Sequence, residues 1–188
     1  TTPDTTKRAK TTKTESDINT ETQAGIIDDG ANIAVSDLTY DGTKEIVAAP
    51  KSGAPYINIY SKEGIILTPP FLAYDSTYTR GVNITVADID GSGQEQEIIT
   101  SPMHGSAHIR IFNRNGQAIS SFMAREASFR GNSIVKVANL EGPDRASGDL
   151  EIIILFSDGI LKVFNKEGQE IMTPSTVSSH ICRLIPLP

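Results

Sequence analysis

The chain has 188 residues, a net charge of −6, 38% hydrophobic residues, and only one cysteine. That length supports one ordinary domain with a real core, and the negative charge excludes the broad basic surface that grips nucleic acid or anionic lipid. The lone Cys182 excludes an internal disulfide framework and a multi-cysteine zinc site, and no apolar run approaches the roughly eighteen residues of a membrane span.

Residues 1–25 are dominated by Thr, Lys, Asp, Glu and Gln. So few apolar side chains cannot repay the entropy of ordering them, and the stretch reads as a flexible Thr-rich tether. The sequence does not open on Met, which suits a processed product or an excerpt of something longer, and no retained signal peptide is evident.

The rest, 26–188, reads as a repeat of about fifty residues. The first unit, about 30–80, opens with Gly30-Ala-Asn-Ile-Ala-Val-Ser-Asp37. It continues with Glu45-Ile-Val47 and Tyr56-Ile-Asn-Ile-Tyr60, and turns at Lys62-Glu63-Gly64. The second, about 81–130, answers with Gly81-Val-Asn-Ile-Thr-Val-Ala-Asp88, Glu97-Ile-Ile99, His108-Ile-Arg-Ile-Phe112 and Arg114-Asn115-Gly116. The third, about 131–180, repeats the pattern more loosely with Gly131 to Asn139, Glu151-Ile-Ile153, Ile160-Leu-Lys-Val-Phe164 and Lys166-Glu167-Gly168. The aromatics Tyr60, Phe112 and Phe164 recur at a spacing of 52, as do the turn glycines Gly64, Gly116 and Gly168.

Within each unit, short β-branched runs alternate apolar with polar residues and are punctuated by Gly, Pro, Asn and Asp, which is strand periodicity. The glycine turns read as hairpins in which Gly supplies a positive φ. Four strands per unit give an all-β chain, and four-stranded units repeated at this period give the blades of a β-propeller. His180-Ile-Cys-Arg-Leu-Ile-Pro-Leu187 reads as the first strand of a fourth blade, which occupies 181–188 after the third unit. Propellers take about four to eight blades, so three four-stranded antiparallel blades plus one strand make a partial propeller.

The segment Asp88-Ile-Asp90-Gly-Ser92-Gly93 puts oxygen-bearing side chains on alternate residues. Calcium takes about six to eight oxygens; this spacing lets one loop supply several, with the Gln94 carbonyl added and Glu95 or Glu97 closing the shell. An EF-hand loop opens similarly, but its twelfth position here is Ile99 and strands flank the loop. The alternative for any such loop is a solvated acidic turn held by Asx hydrogen bonds.

The run Val86-Ala-Asp-Ile-Asp-Gly-Ser-Gly93, followed by Glu97-Ile-Ile-Thr-Ser-Pro102, Ala107 to Asn113 and Gly116 to Phe122, resembles the FG-GAP and VCBS repeats. Those repeats build calcium-binding β-propellers, including the integrin α-subunit head and many bacterial surface proteins. The resemblance covers about 30–180 and is strongest in the middle unit. It implies a structural calcium ion held by Asp88, Asp90, Ser92 and the Gln94 carbonyl, with Glu97 displaced by one extra residue. In the first unit it implies Asp37, Thr39, Asp41, the Thr43 carbonyl and Glu45, a weaker set because Thr39 is a poor ligand. An insertion between Asn139 and Glu151 breaks the spacing in the third unit, where little or no calcium is expected.

His104 and His108 lie close together, but His108 answers to Tyr56 and reads as a packing residue. Ser101 and Ser106 lack a base and an orienting carboxylate. Asn83-Ile-Thr85 is a formal glycosylation sequon on an inner strand where a glycan does not fit. Tyr74, Tyr78 and Phe129, in the links between units, read as packing residues, with the lining of a carbohydrate or protein surface as the alternative. The leading expectation is a non-catalytic binding or adhesion module of a secreted or cell-surface protein, with a protein or carbohydrate ligand and no nucleic acid or membrane insertion. Its remaining blades would come from a longer chain or from self-association. The alternatives are the propeller of an extracellular polysaccharide lyase or hydrolase, for which Lys136 and Arg183 are the scattered central candidates, or a lectin.

Overall fold

A computed structural model describes residues 30–140 and 150–172. The expected fourth strand, Cys182 and Arg183, the 1–25 tether and the interior of the third acidic loop lie outside the described residues. These residues form twelve strands and no helix: β1 Ala31–Ser36, β2 Glu45–Pro50, β3 Tyr56–Tyr60, β4 Phe71–Leu72, β5 Val82–Ala87, β6 Glu97–Pro102, β7 His108–Phe112, β8 Ala118–Met123, β9 Ser133–Ala138, β10 Glu151–Phe156, β11 Leu161–Phe164 and β12 Glu170–Met172. They pair as three four-stranded antiparallel sheets, β1-β2-β3-β4, β5-β6-β7-β8 and β9-β10-β11-β12, each in chain order.

The sheets stack face to face, with β1 beside β5 and β5 beside β9. Because successive side chains on a strand point to opposite faces, the strands of the middle sheet serve two cores. Ile98 of β6 is fully buried against the first sheet, with Val47, Ala49, Ile57 and Ile59. Its neighbour Ile99 is fully buried against the third, with Ile152, Ile154 and Phe156.

Polar contacts repeat between sheets. Asn32 Nδ2 donates to the Val82 carbonyl at 2.8 Å, and Asn83 Nδ2 donates to the Ser133 carbonyl. The sequon asparagine therefore ties one blade to the next. Tyr74, buried, donates to the His108 carbonyl at 2.8 Å and contacts Thr100 Oγ1 at 3.0 Å. Tyr78 donates to the carbonyls of Gly81 and His104. Arg125 lies over the Phe129 and Phe156 rings at 4.7 and 5.0 Å while its guanidinium pairs with Asp158 at 2.9 Å. The link aromatics pack between sheets, as their positions suggested.

Two turn glycines have a second reason to be glycine. Gly116 and Gly168 adopt φ of 79° and 80°, a region costly for residues with a Cβ. Each also sits under an aromatic ring of the preceding sheet: a Cβ on Gly116 would meet Phe71 at 2.5 Å, and one on Gly168 would overlap Phe122.

Candidate metal centre

Each sheet's first two strands are joined by a connection built on one plan. After Asp37, Asp88 or Asn139 comes an aliphatic residue, and Leu38 and Ile89 are buried at 1% and 2% exposure. The connection ends on a glutamate that opens the second strand. Glu45 Oε2 accepts the Leu38 N–H at 2.9 Å, Glu97 Oε2 that of Ile89 at 2.9 Å, and Glu151 Oε2 that of Leu140 at 2.8 Å. All three glutamates are buried. Dragging the aliphatic side chain inward buries its amide, and a carboxylate is the strong acceptor that satisfies it. Sequence reasoning assigned Glu45 and Glu97 to a cation alone and missed this clamp. The signal was present: the glutamate persists in the third unit, where the ligand pattern is broken.

In the middle connection the carboxylates converge. Asp88, Asp90 and Glu97 each bring an oxygen within 4.8 Å of the others, and this is the one such group among the described residues. Asp88 accepts the N–H of Ser92 at 3.0 Å through Oδ1 and of Gly93 at 2.9 Å through Oδ2, and Asp90 accepts that of Ser92 at 2.8 Å. A carboxylate has about four lone-pair sites, so these bonds orient the oxygens and leave capacity for a cation. Ser92 Oγ accepts the Gln94 N–H at 3.3 Å, and both residues are exposed.

The charges register the crowding. Burial pushes the Glu97 carboxyl above its ordinary range, against the Ile89 N–H that stabilises its charge, and the neighbouring Asp90 and Asp88 push it further. For Asp90, burial acts to raise the carboxyl, but the Ser92 and Asp88 hydrogen bonds and the charge of Lys166 together hold it below the usual range.

The first connection shares the backbone bonds of its leading aspartate but not the convergence of carboxylates. Asp37 accepts the N–H of Asp41 at 3.1 Å and of Gly42 at 2.8 Å, and Asp41 accepts that of Thr43 at 2.7 Å. The Thr43 N–H holds the Asp41 carboxyl below its usual range. Thr39 is half-buried, Thr43 is exposed, and Glu45 sits in its clamp. Asp37, Asp41 and Glu45 do not gather as the middle three do.

This first connection instead reaches the middle one. Tyr40, with φ of 55°, donates its hydroxyl to Asp88 Oδ2 at 3.2 Å. The Gln96 N–H donates to the Leu38 carbonyl at 3.2 Å, and Ser36 Oγ bonds Gln96 Oε1. Tyr40 was not singled out from sequence, because its partner lies 48 residues away.

The remaining chemical candidates do not gather into a site with one another among the described residues. His104 Nδ1 contacts Asn132 Oδ1 at 2.6 Å. His108 is half-buried with its ring edge-on to Tyr74, centroids 5.9 Å apart. Ser101 is fully buried, and Lys136 is exposed on β9.

No family model matches the chain, and no curated protein matches it. Among solved structures, a crystal structure of BBS1N in complex with ARL6DN, soaked with mercury, is similar at a TM-score of 0.52 and 13% identity, over 79% of this chain and 45% of that one. This chain therefore spans less than half the length of that neighbour. At such identity the likeness concerns fold alone: BBS1N is a β-propeller, and the three sheets here are propeller-like blades.

Proposed function

We propose that this chain is part of a β-propeller that serves as a non-catalytic, calcium-stabilised binding or adhesion module of a secreted or cell-surface protein. The observation that carries the reading is the convergence of Asp88, Asp90 and Glu97 within 4.8 Å at the end of the middle blade. Three carboxylates this close repel one another, and a hard divalent cation relieves that repulsion while taking only oxygen ligands.

Asp88, Asp90 and Glu97 would hold the ion, with the Ser92 hydroxyl, the Gln94 carbonyl and water available to fill the shell. Calcium tolerates such an irregular set better than magnesium, which demands near-ideal octahedral geometry. A set this sparse suits the roughly millimolar affinities of extracellular calcium modules. The ion's role is structural, fixing the connection whose ends the Glu97 clamp already holds. In keeping with the net charge, the partner is a protein or a carbohydrate rather than nucleic acid, with further blades supplied by a longer chain or by self-association.

The test is thermal unfolding with calcium and with chelator, for the unmodified chain and for Asp88→Ala/Asp90→Ala. At ten times the dissociation constant, binding to the folded state stabilises by about 1.4 kcal/mol, a rise of about 4 °C for a domain of this size. The double variant is expected to lose that rise. A melting temperature indifferent to calcium in the unmodified chain refutes the metal reading.

A further inference from the structure

The first blade presents one face to the second, and its opposite face is left uncovered by the described residues. Repeat equivalence shows what that face is shaped for. Ile33 of β1 and Ile84 of β5 occupy the same place on the innermost strand, yet Ile33 is 65% exposed and Ile84 7%. Val35, equivalent to the partly buried Val86, is 54% exposed. The difference is the presence of a preceding blade.

Two further receiving features recur. The first residue of β5 and of β9 accepts, through its carbonyl, an asparagine from the preceding blade, Asn32 onto Val82 and Asn83 onto Ser133. Ala31 holds that place on β1. Gly116 and Gly168 receive the rings of Phe71 and Phe122, whereas Gly64, with the same turn and a φ of 81°, has nothing within 4 Å of where a Cβ would stand.

We infer that the outer face of blade 1 is the receiving half of a blade–blade interface. Its partner is a further blade of this repeat type, carrying asparagine at the second residue of its inner strand and a phenylalanine on its outer strand. The partner is not the third blade of a second copy. That blade has Ile134 where Asn32 and Asn83 stand, and Pro174 and Ser175, not a phenylalanine, stand at the spacing from Gly168 that places Phe122 after Gly116 and Phe71 after Gly64. Residues 1–29 also contain no aromatic side chain. The inference rests on the reading of the sheets as propeller blades and is independent of calcium.

The experiment measures thiol-labelling rates in a Cys182→Ser background. Ile33→Cys reports the uncovered face and Ile84→Cys the established interface. A second copy of residues 81–130, which carries Asn83 and Phe122, is inserted between Asp29 and Gly30, so that its closing Arg130 meets Gly30 as it natively meets Gly131. The inserted blade is expected to slow labelling of Ile33→Cys at least tenfold. Asn83→Ala/Phe122→Ala within the inserted copy is expected to restore most of the rate.

Equal labelling of Ile33→Cys with and without the inserted blade overturns the inference, as does protection that ignores the double substitution. Concentration-dependent protection in the chain without the insert assigns the face to a second copy and also overturns it. Protection lost on removing residues 1–29 does the same in favour of that segment. Fast labelling of Ile84→Cys instead refutes the blade packing itself, which separates failure of the propeller reading from failure of this inference.

Discussion

The aromatic-on-glycine contacts between blades can be isolated by comparing the same substitution at equivalent turns. Gly64→Ala, at φ 81° with open space around the added Cβ, bears only the left-handed backbone cost, about 1–2 kcal/mol. Gly116→Ala bears the same cost at φ 79° and also drives its Cβ to 2.5 Å from Phe71 Cγ. That ring cannot simply swing aside, because it packs on Phe112 at 5.2 Å between centroids and Phe112 is itself buried. Overpacking of this kind costs about 1–3 kcal/mol. At about 2–4 °C per kcal/mol for a domain of this size, Gly116→Ala should melt lower than Gly64→Ala by several degrees. A double-mutant cycle sharpens the assay: in a Phe71→Ala background the steric part disappears and Gly116→Ala should cost no more than Gly64→Ala. Equal melting temperatures for the two single variants, or an additive cycle, would refute the reasoning.

Three further outcomes are expected. Glu151→Ala leaves the half-buried Leu140 amide without its acceptor and should destabilise by about 1–3 kcal/mol, equally with calcium or chelator, whereas Glu151→Gln, which keeps an acceptor oxygen, should cost less; urea titrations distinguish them. Asn83→Ala removes the donor to the Ser133 carbonyl and should cost about 1 kcal/mol by the same titration. Burial, and then the charge of Arg110, hold the His108 imidazole below its ordinary value of 6.5. The unfolded chain therefore takes up that proton first as pH falls. The stability tied to neutral His108 is full above about pH 6.5 and is lost as pH drops through the lower folded value. Melting temperatures across pH 5–8 should show a decline below pH 6.5 that His108→Gln reduces, and an identical decline in the variant removes His108 as its source.

Much of the architecture was legible in the sequence because it rests on local rules. The period-two runs around Ile57, Ile84 and Ile109 specify strands, and the adjacent Ile98 and Ile99 suit a sheet buried on both faces. The Gly64, Gly116 and Gly168 spacing announces hairpins. What escaped depends on contacts between blades, which no local rule reports. Gly116 is constrained by Phe71, 45 residues earlier; Asn83 donates to a carbonyl 50 residues later; Tyr40 reaches an aspartate 48 residues away. The acidic connections were legible as candidate ligand loops by residue type. Only the placed backbone amides show that the terminal glutamate serves the fold first.

That division of labour explains how the three connections differ so widely without disturbing the blades. The clamp spans seven residues between Leu38 and Glu45, eight between Ile89 and Glu97, and eleven between Leu140 and Glu151, at nearly constant hydrogen-bond length. With both ends fixed, the interior of the connection is free to vary in length and in carboxylate content. Cation affinity would thus be separable from folding: on the proposed reading it rises where the interior turns Asp88 and Asp90 toward the clamped Glu97, and falls where, as in the first connection, the carboxylates do not converge. The middle connection is also where the first blade intervenes, because Asp88 Oδ2 already accepts the Gly93 N–H and the Tyr40 hydroxyl. On the proposed reading, an ion drawing on that oxygen would compete with the Tyr40 hydroxyl, so calcium occupancy at the middle blade would bear on how the first blade's connection is held.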